Sequence, residues 1–201
     1  MTAAVLDLEG VVAALARGDV VALPTDTVYG VAASLDAAQG VGVLFALKHR
    51  PSDMALPVLV DSVDQITRLG AAWPHDAQRL ADRFWPGALT IVVRAPEYLA
   101  RRVGSPTDSV GLRIPDLDLV REVLRRSGPL AVTSANNHGQ PPCTSAATVL
   151  ETFGARSPLA GVLDGGVRDG AVSTVVDLTG PQWRVLREGA IATSDIADAL
   201  S

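Results

Sequence analysis

Short apolar runs and amphipathic segments alternate along this chain, which predicts a layered structure of strands and helices of the α/β or mixed α+β class. Leu8 to Arg17 repeats apolar residues at helical spacing and stops at Gly18, a residue suited to ending a helix. Val20 to Pro24 then reads as a buried strand entering PTDTVYG. A second helix is predicted over Ala37 to Leu47, ahead of the basic turn KHRP at Lys48 to Pro51. Pro57 to Val60 returns as a strand, and Ser62 reads as the N-cap of a helix from Val63 to Leu69.

A helix over Pro74 to Phe84 ends at the turn WPGALT, and Leu89 to Val93 is the next strand. In SVGLRIP, period-two alternation puts Val110, Leu112 and Ile114 on one face and Ser109, Gly111 and Arg113 on the other. Pro115 keeps Ile114 extended, so Arg113 falls near a strand end. Gly111 either leaves its face open to a ligand or marks a bulge. Asp116 to Arg126 is helical in pattern, with Asp116 and Asp118 near the start, where acids complement the helix dipole. Leu130 to Thr133 is a strand followed by SAN at Ser134 to Asn136. Strands around Gly161 to Leu163, Ser173 to Leu178 and Trp183 to Arg187 lead to a terminal helix near Ser194 to Leu200. With no linker and no repeat, the pattern gives one domain over 1–201.

Composition narrows the ligand class. A chain of 201 residues, 48% hydrophobic, can bury roughly 70% of its unfolded surface around one core. No apolar run approaches the ~20 residues needed to span a bilayer, and Met1 to Gly18 carries acids instead of a basic start and apolar block. The expectation is a cytoplasmic protein without a leader or membrane contact. The lone Cys143 has no intrachain disulfide partner. A net charge of -5 argues against nucleic-acid binding through charge alone, and eight Phe, Trp and Tyr residues are too few for a broad stacking platform. Lys48 and Arg50 beside Pro51, Arg113 before Pro115 and Arg187 before Gly189 stand at turns that could aim them into a common cleft. Acidic small molecules suit such a cleft better than a long polymer.

The chain has no GxxxxGK[ST] loop, no HExxH, no GxSxG and no paired cysteines. GVGVLF at Gly40 to Phe45 lacks a third glycine and a preceding strand, and His49, His75 and His138 are too scattered for a metal site. What remains is hydroxyls, guanidiniums and an ammonium at strand ends. Arg offers a planar fork of donors for carboxylate or phosphate, and Lys a mobile point charge. Taken singly, KHRP is a common solvated turn, SAN a capped turn, STVVD an ordinary strand, and PTDTVYG a turn with Tyr29 packed inward.

In order, PTDTVYG, KHRP, WPGALT, SVGLRIP, SAN, LDGG, STVVD and RVLREGAI resemble the YrdC-domain family of threonylcarbamoyl-AMP synthases over about Gly18 to Ile191. The resemblance implies a twisted, largely open mixed sheet flanked by helices, with a concave anion-binding cleft. It implies synthesis of threonylcarbamoyladenylate from L-threonine, bicarbonate and ATP, with Mg2+ accompanying the triphosphate. It assigns Thr27, Arg113, Ser134 and Ser173 to threonine, Arg113 to its carboxylate. Lys48 and Arg50 fall to the nucleotide phosphates and the charge developing at the α-phosphorus, and Ser109, Asn136 and Arg187 to ATP, with no protein metal cage. The product would pass to a downstream tRNA threonylcarbamoyl transferase complex, so that any contact with tRNA is weak or indirect.

Some positions depart from the family pattern. Leu59 stands where some relatives carry a histidine near the substrate, Met54 where Lys or Asn is frequent, and Pro142 where Ser is common. The chain resembles the short form that lacks an extra C-terminal domain. Two rivals are a non-catalytic nucleotide- or RNA-binding module, which would need basic surface beyond the cleft, and the carbamoyl-phosphate-handling domain of hydrogenase-maturation proteins, whose added zinc and acylphosphatase-like modules are not seen here.

Overall fold

The structure is a computed structural model that describes residues 3–47, 55–137, 139–154 and 157–201. Lys48, His49, Arg50, Met54 and His138 therefore lie outside the described residues. The strands are β1 (Ala4–Leu6), β2 (Val20–Leu23), β3 (Gly30–Ser34), β4 (Val58–Leu59), β5 (Leu89–Arg94), β6 (Ser109–Arg113), β7 (Leu130–Ser134), β8 (Leu159–Leu163), β9 (Thr174–Asp177) and β10 (Arg184–Arg187). The helices are α1 (Leu8–Ala16), α2 (Ala38–Leu47), α3 (Val63–Arg68), α4 (His75–Phe84), α5 (Glu97–Arg102), α6 (Asp118–Ser127), α7 (Ala146–Phe153) and α8 (Thr193–Leu200).

Local chemistry fixes several of these ends. The Asp7 side chain accepts from Gly10 N–H and opens α1; Gly18, at φ 83°, takes the left-handed turn just after it. Ser62 occupies the predicted N-cap of α3 without a side-chain cap bond. α7 starts at a capping box in which Ser145 and Thr148 satisfy each other's backbone N–H, worth about 1 kcal/mol. GVGVLF lies inside α2, and Asp116 precedes α6 while Asp118 begins it.

One mixed sheet of ten strands runs β1-β8-β2-β3-β7-β4-β6-β5-β9-β10 among the described residues. Pairs β1/β8, β2/β8, β4/β6 and β5/β9 are parallel; β2/β3, β3/β7, β4/β7, β5/β6 and β9/β10 are antiparallel. The alternation read from SVGLRIP holds: Val110 and Leu112 join Leu89, Ile91, Val93 and Val176 in the larger core, with Leu44, Leu80 and Leu99 from the helices. Each such buried side chain contributes roughly 1.5–3 kcal/mol.

On the opposite face, helices α1 and α6 cover only part of the width. There α1 and α6 pack Leu15, Val120, Val123 and Leu124 against Leu59, Leu130 and Val132. This second cluster ends at β4. Beyond it, on β6, β5 and β9, the same face carries Ser109, Gly111, Arg113, Thr90, Val92, Val175 and Asp177, and Val92 and Val175 are only half-buried. That half lacks the cover of α1 and α6 and carries the sequence-predicted Ser109 and Arg113, both nonetheless buried.

Candidate functional site

Arg113 is the hub. It ends β6 just before Pro115 and is buried, 6% exposed. Nε donates to the Gly87 carbonyl at 2.9 Å, Nη1 to Thr27 Oγ1 at 3.3 Å and Nη2 to Asp26 Oδ1 at 2.7 Å. Three of its five N–H groups are thus committed among the described residues, leaving one on Nη1 and one on Nη2 that could serve a carboxylate.

Each partner is delivered by local structure. Gly87 belongs to the WPGALT turn, which contains a cis Trp85–Pro86 bond, and its N–H donates to Ile114 O across the β5/β6 pair. A Cβ at residue 87 would meet Phe84 O at 2.4 Å, so only glycine brings that carbonyl so close. Asp26 and Thr27 sit on the loop between β2 and β3. Thr25 folds that loop: its hydroxyl accepts from the N–H groups of Thr27 and Val28 and contacts Val28 O at 2.6 Å. Tyr29 anchors the loop from beneath, wholly buried, donating to Gly166 O and accepting from Gly165 N–H. Burial holds the Tyr29 phenol above its usual pKa, keeping it neutral and able to donate.

A second group lies beside the first. Arg187, on the edge strand β10, donates through Nε and Nη2 to Ser173 O and through Nη2 to Ser173 Oγ. Ser173 Oγ also contacts Thr90 Oγ1 at 3.0 Å. Partial burial and the positive charge of Arg113 together hold the Arg187 pKa below the ordinary arginine value. The two guanidiniums feel one another, and an anion placed between them would relieve that repulsion.

Ser134 ends β7 opposite Gly30, and its hydroxyl donates to Asn136 Oδ1 at 2.6 Å. The Asn136 amide donates to Asn137 O and Gln140 O, bracing the SAN turn. Ser109 stands apart, four residues and about 13 Å along β6 from Arg113, among the hydroxyls of Ser105 and Thr107. The structure therefore unites Thr27 with Arg113 and Ser173 with Arg187, places Ser134 and Asn136 in one turn, and leaves Ser109 at the far end of the same face. Lys48 and Arg50 fall outside the described residues.

Gly111 and Leu59 acquire definite surroundings. Gly111 is not a bulge, because the β5/β6 register runs unbroken through it, and its missing side chain makes room for protein: a Cβ would meet Thr90 Cγ2 at 3.1 Å. Leu59 leaves no gap beside its register partner Arg113; it is 4% exposed and packed under α6. Pattern reasoning passed over Asp26, Thr25 and Thr90. A period-two reading of LTIVVR would have put Thr90 on the Arg113 face, but nothing in the sequence marks Asp26 as an arginine partner.

A cavity of about 720 Å³ between α2 and α5, lined by Val41, Phe45, Tyr98 and Arg101 among others, lies on the Leu112 side of the sheet, away from this site. No group of three or more His, Cys, Asp or Glu able to hold a metal occurs among the described residues, and no described helix is long and apolar enough to cross a membrane.

Fold and site together define an α/β protein with two arginines and several hydroxyls gathered on one part of a mixed sheet flanked by helices. The chain belongs to the Sua5/YciO/YrdC family, whose profile, described as telomere recombination, matches residues 13–189. It is 36% identical over 178 residues to the threonylcarbamoyl-AMP synthase of Serratia proteamaculans, covering 87% of this chain and 93% of the relative. With the Bacillus subtilis protein of the same name it shares 37% identity over 187 residues, covering 92% of this chain but 54% of that one. The crystal structure of Pyrococcus abyssi Sua5 complexed with L-threonine superposes with a TM-score of 0.89 at 34% identity, covering 96% of this chain and 57% of that one. The chain thus spans a little over half the length of two of these relatives.

Proposed function

We propose that the protein synthesises L-threonylcarbamoyladenylate from L-threonine, bicarbonate and ATP, supplying the intermediate for threonylcarbamoyl-adenosine modification of tRNA. The observation that carries this reading is Arg113, nearly buried beside Thr27 with two N–H groups uncommitted among the described residues and a second arginine close by. That is a receptor for a small carboxylate next to a larger anion.

Threonine's carboxylate takes the remaining Nη1 and Nη2 N–H groups of Arg113, with Thr27, Ser134 and Ser173 around the rest of the molecule. ATP extends along the open face, met by Ser109, Asn136 and Arg187 and by Lys48 and Arg50. The amine of threonine adds to the carbon of CO2 and loses a proton, giving a carbamate; from bicarbonate the same N–C bond forms as a C–OH bond breaks, and the hydroxyl leaves as water with the amine's proton. A carbamate oxygen attacks the α-phosphorus, the bond from that phosphorus to the bridging oxygen breaks, and pyrophosphate leaves. No step needs a covalent enzyme nucleophile, which suits a site of guanidiniums and hydroxyls. Positioning and charge neutralisation do the work.

The carboxylate at this site, Asp26, is committed to Arg113, and the other side-chain donors are hydroxyls and amides. That set fits a Mg2+ ion held by phosphate oxygens and water, where it would neutralise triphosphate charge. We place the whole reaction in one domain over 1–201 of a cytoplasmic protein whose product goes to a downstream tRNA threonylcarbamoyl transferase complex; with a net charge of -5, direct contact with tRNA is weak or indirect.

The test is pyrophosphate release from ATP with Mg2+. It should require both threonine and bicarbonate. Lys48→Ala or Arg50→Ala should lower it roughly 100-fold or more while leaving the melting temperature unchanged. A folded protein that releases no pyrophosphate under these conditions is not this synthase.

A further inference from the structure

The hydrogens in the loop before β3 can be counted. Thr25 Oγ1 lies 2.6 Å from Val28 O and 2.8 Å from Thr27 Oγ1. Each oxygen–oxygen contact this short needs one hydrogen between its atoms, since otherwise lone pairs face each other. A backbone carbonyl has none to give, so the Thr25 hydrogen lies toward Val28 O. The one hydrogen left for the Thr25–Thr27 contact is Thr27's own. The third neighbour, Arg113 Nη1 at 3.3 Å, can only donate. Thr27 therefore gives its proton to Thr25, receives one from Arg113, and keeps a single lone pair.

Two observations hold this arrangement in place. With one lone pair of Thr25 Oγ1 taken by the Thr27 proton, the N–H groups of Thr27 and Val28 share the other at the longer distances of 3.1 and 3.2 Å, which fixes its rotamer. Thr25 and Thr27 are 5% and 4% exposed, so little water is present to exchange partners with them.

We propose that Thr25 is a positioning residue for substrate choice: it locks the Thr27 hydroxyl as an acceptor, so that the site selects an amino acid whose side chain donates a hydrogen bond. The inference rests on the reading of Thr27 as a threonine contact. Threonine's β-hydroxyl can donate to the remaining lone pair while its carboxylate engages Arg113. Valine has nothing to donate, and neither has O-methylthreonine, although its ether oxygen can still accept. A threonine-shaped pocket alone would reject neither on hydrogen-bond grounds. An acceptor left unpaired rejects both.

Binding of L-threonine, L-valine and O-methyl-L-threonine to the full chain, measured by calorimetry, tests this. Wild type should prefer threonine over O-methylthreonine by roughly 10- to 100-fold. Thr27→Val should bring the ratio within about threefold. Thr25→Val should also narrow it, because the released Thr27 proton can go to the ether oxygen, and Thr25→Ser should restore the wild-type ratio. A wild-type ratio near one overturns the proposal. So does an equal ratio in wild type and Thr27→Val, which would assign the loss to the bulk of the methyl group, or a full ratio kept by folded Thr25→Val. If Thr25→Val does not fold, the comparison of wild type with Thr27→Val still reads the acceptor-only state. Failure of the synthase reading is distinct: there, neither threonine binding nor threonine-dependent pyrophosphate release is seen, whereas threonine binding with an unchanged ratio sinks the polarity alone.

Discussion

Asp26 and Arg113 form an ion pair of 2.7 Å with side chains 14% and 7% exposed, at the guanidinium proposed to receive the substrate carboxylate. The pair resolves a conflict. A cation this enclosed would be costly without a counter-charge, yet it must keep donors for a ligand. One carboxylate oxygen on one Nη atom satisfies the first need and leaves the second open. Asp26→Ala should lower unfolding free energy by about 3 kcal/mol, read from urea denaturation, because it strands the arginine. A loss below about 0.5 kcal/mol would show that solvent already screens the pair.

Thr90 and Ser173 raise a separate expectation. Both are nearly buried, their hydroxyls are 3.0 Å apart, and Ser173 also receives Arg187. Thr90→Val keeps the shape and removes the hydroxyl that orients Ser173. The KM for threonine should rise about fivefold with kcat nearly unchanged, in line with about 1 kcal/mol for one hydrogen bond. A fall in kcat alone would place Thr90 outside threonine binding.

Asp177 predicts a pH dependence. Burial alone would raise its pKa, but hydrogen bonds from Thr179 and Arg184 outweigh that and hold it below the usual carboxylate value of 3.8. A folded-state pKa below the unfolded one means that the stabilisation is present above the unfolded value and is lost as pH falls through the folded one. Asp177→Asn should therefore cost about 1–2 kcal/mol at pH 7, and the gap from wild type should narrow as the pH falls below the ordinary carboxylate value and through the lower folded-state one. An equal gap at both ends would remove the charge from the account.

Sequence pattern by itself determined most of the layers. Helical spacing from Leu8 to a positive-φ Gly18, the buried run from Val20 and the two-residue alternation of SVGLRIP are local properties, and each reappears within a residue or two. β1, β3, α5 and α7 were not legible. β1 is a three-residue edge strand parallel to β8, and β3 is buried at every position, so neither shows an alternation to read. α5, only six residues long, gives period reasoning little to work with.

The candidate site divides along the same line. Ser109 and Arg113 share a face because the side-chain period of a strand is two, and that follows from sequence alone. The junction of Arg113 with Asp26, Thr27 and the Gly87 carbonyl joins segments 87, 86 and 26 residues apart, and no local rule brings these together. Strand order decided it. β6 lies between β4 and β5, just where the cover of α1 and α6 stops, so the arginine is enclosed by the polar loops of Asp26, Thr27 and Gly87 while Leu59 beside it faces a packed apolar core. Chemistry was written in the residues; which hydroxyl donates and which accepts was set only when distant segments came within hydrogen-bond reach.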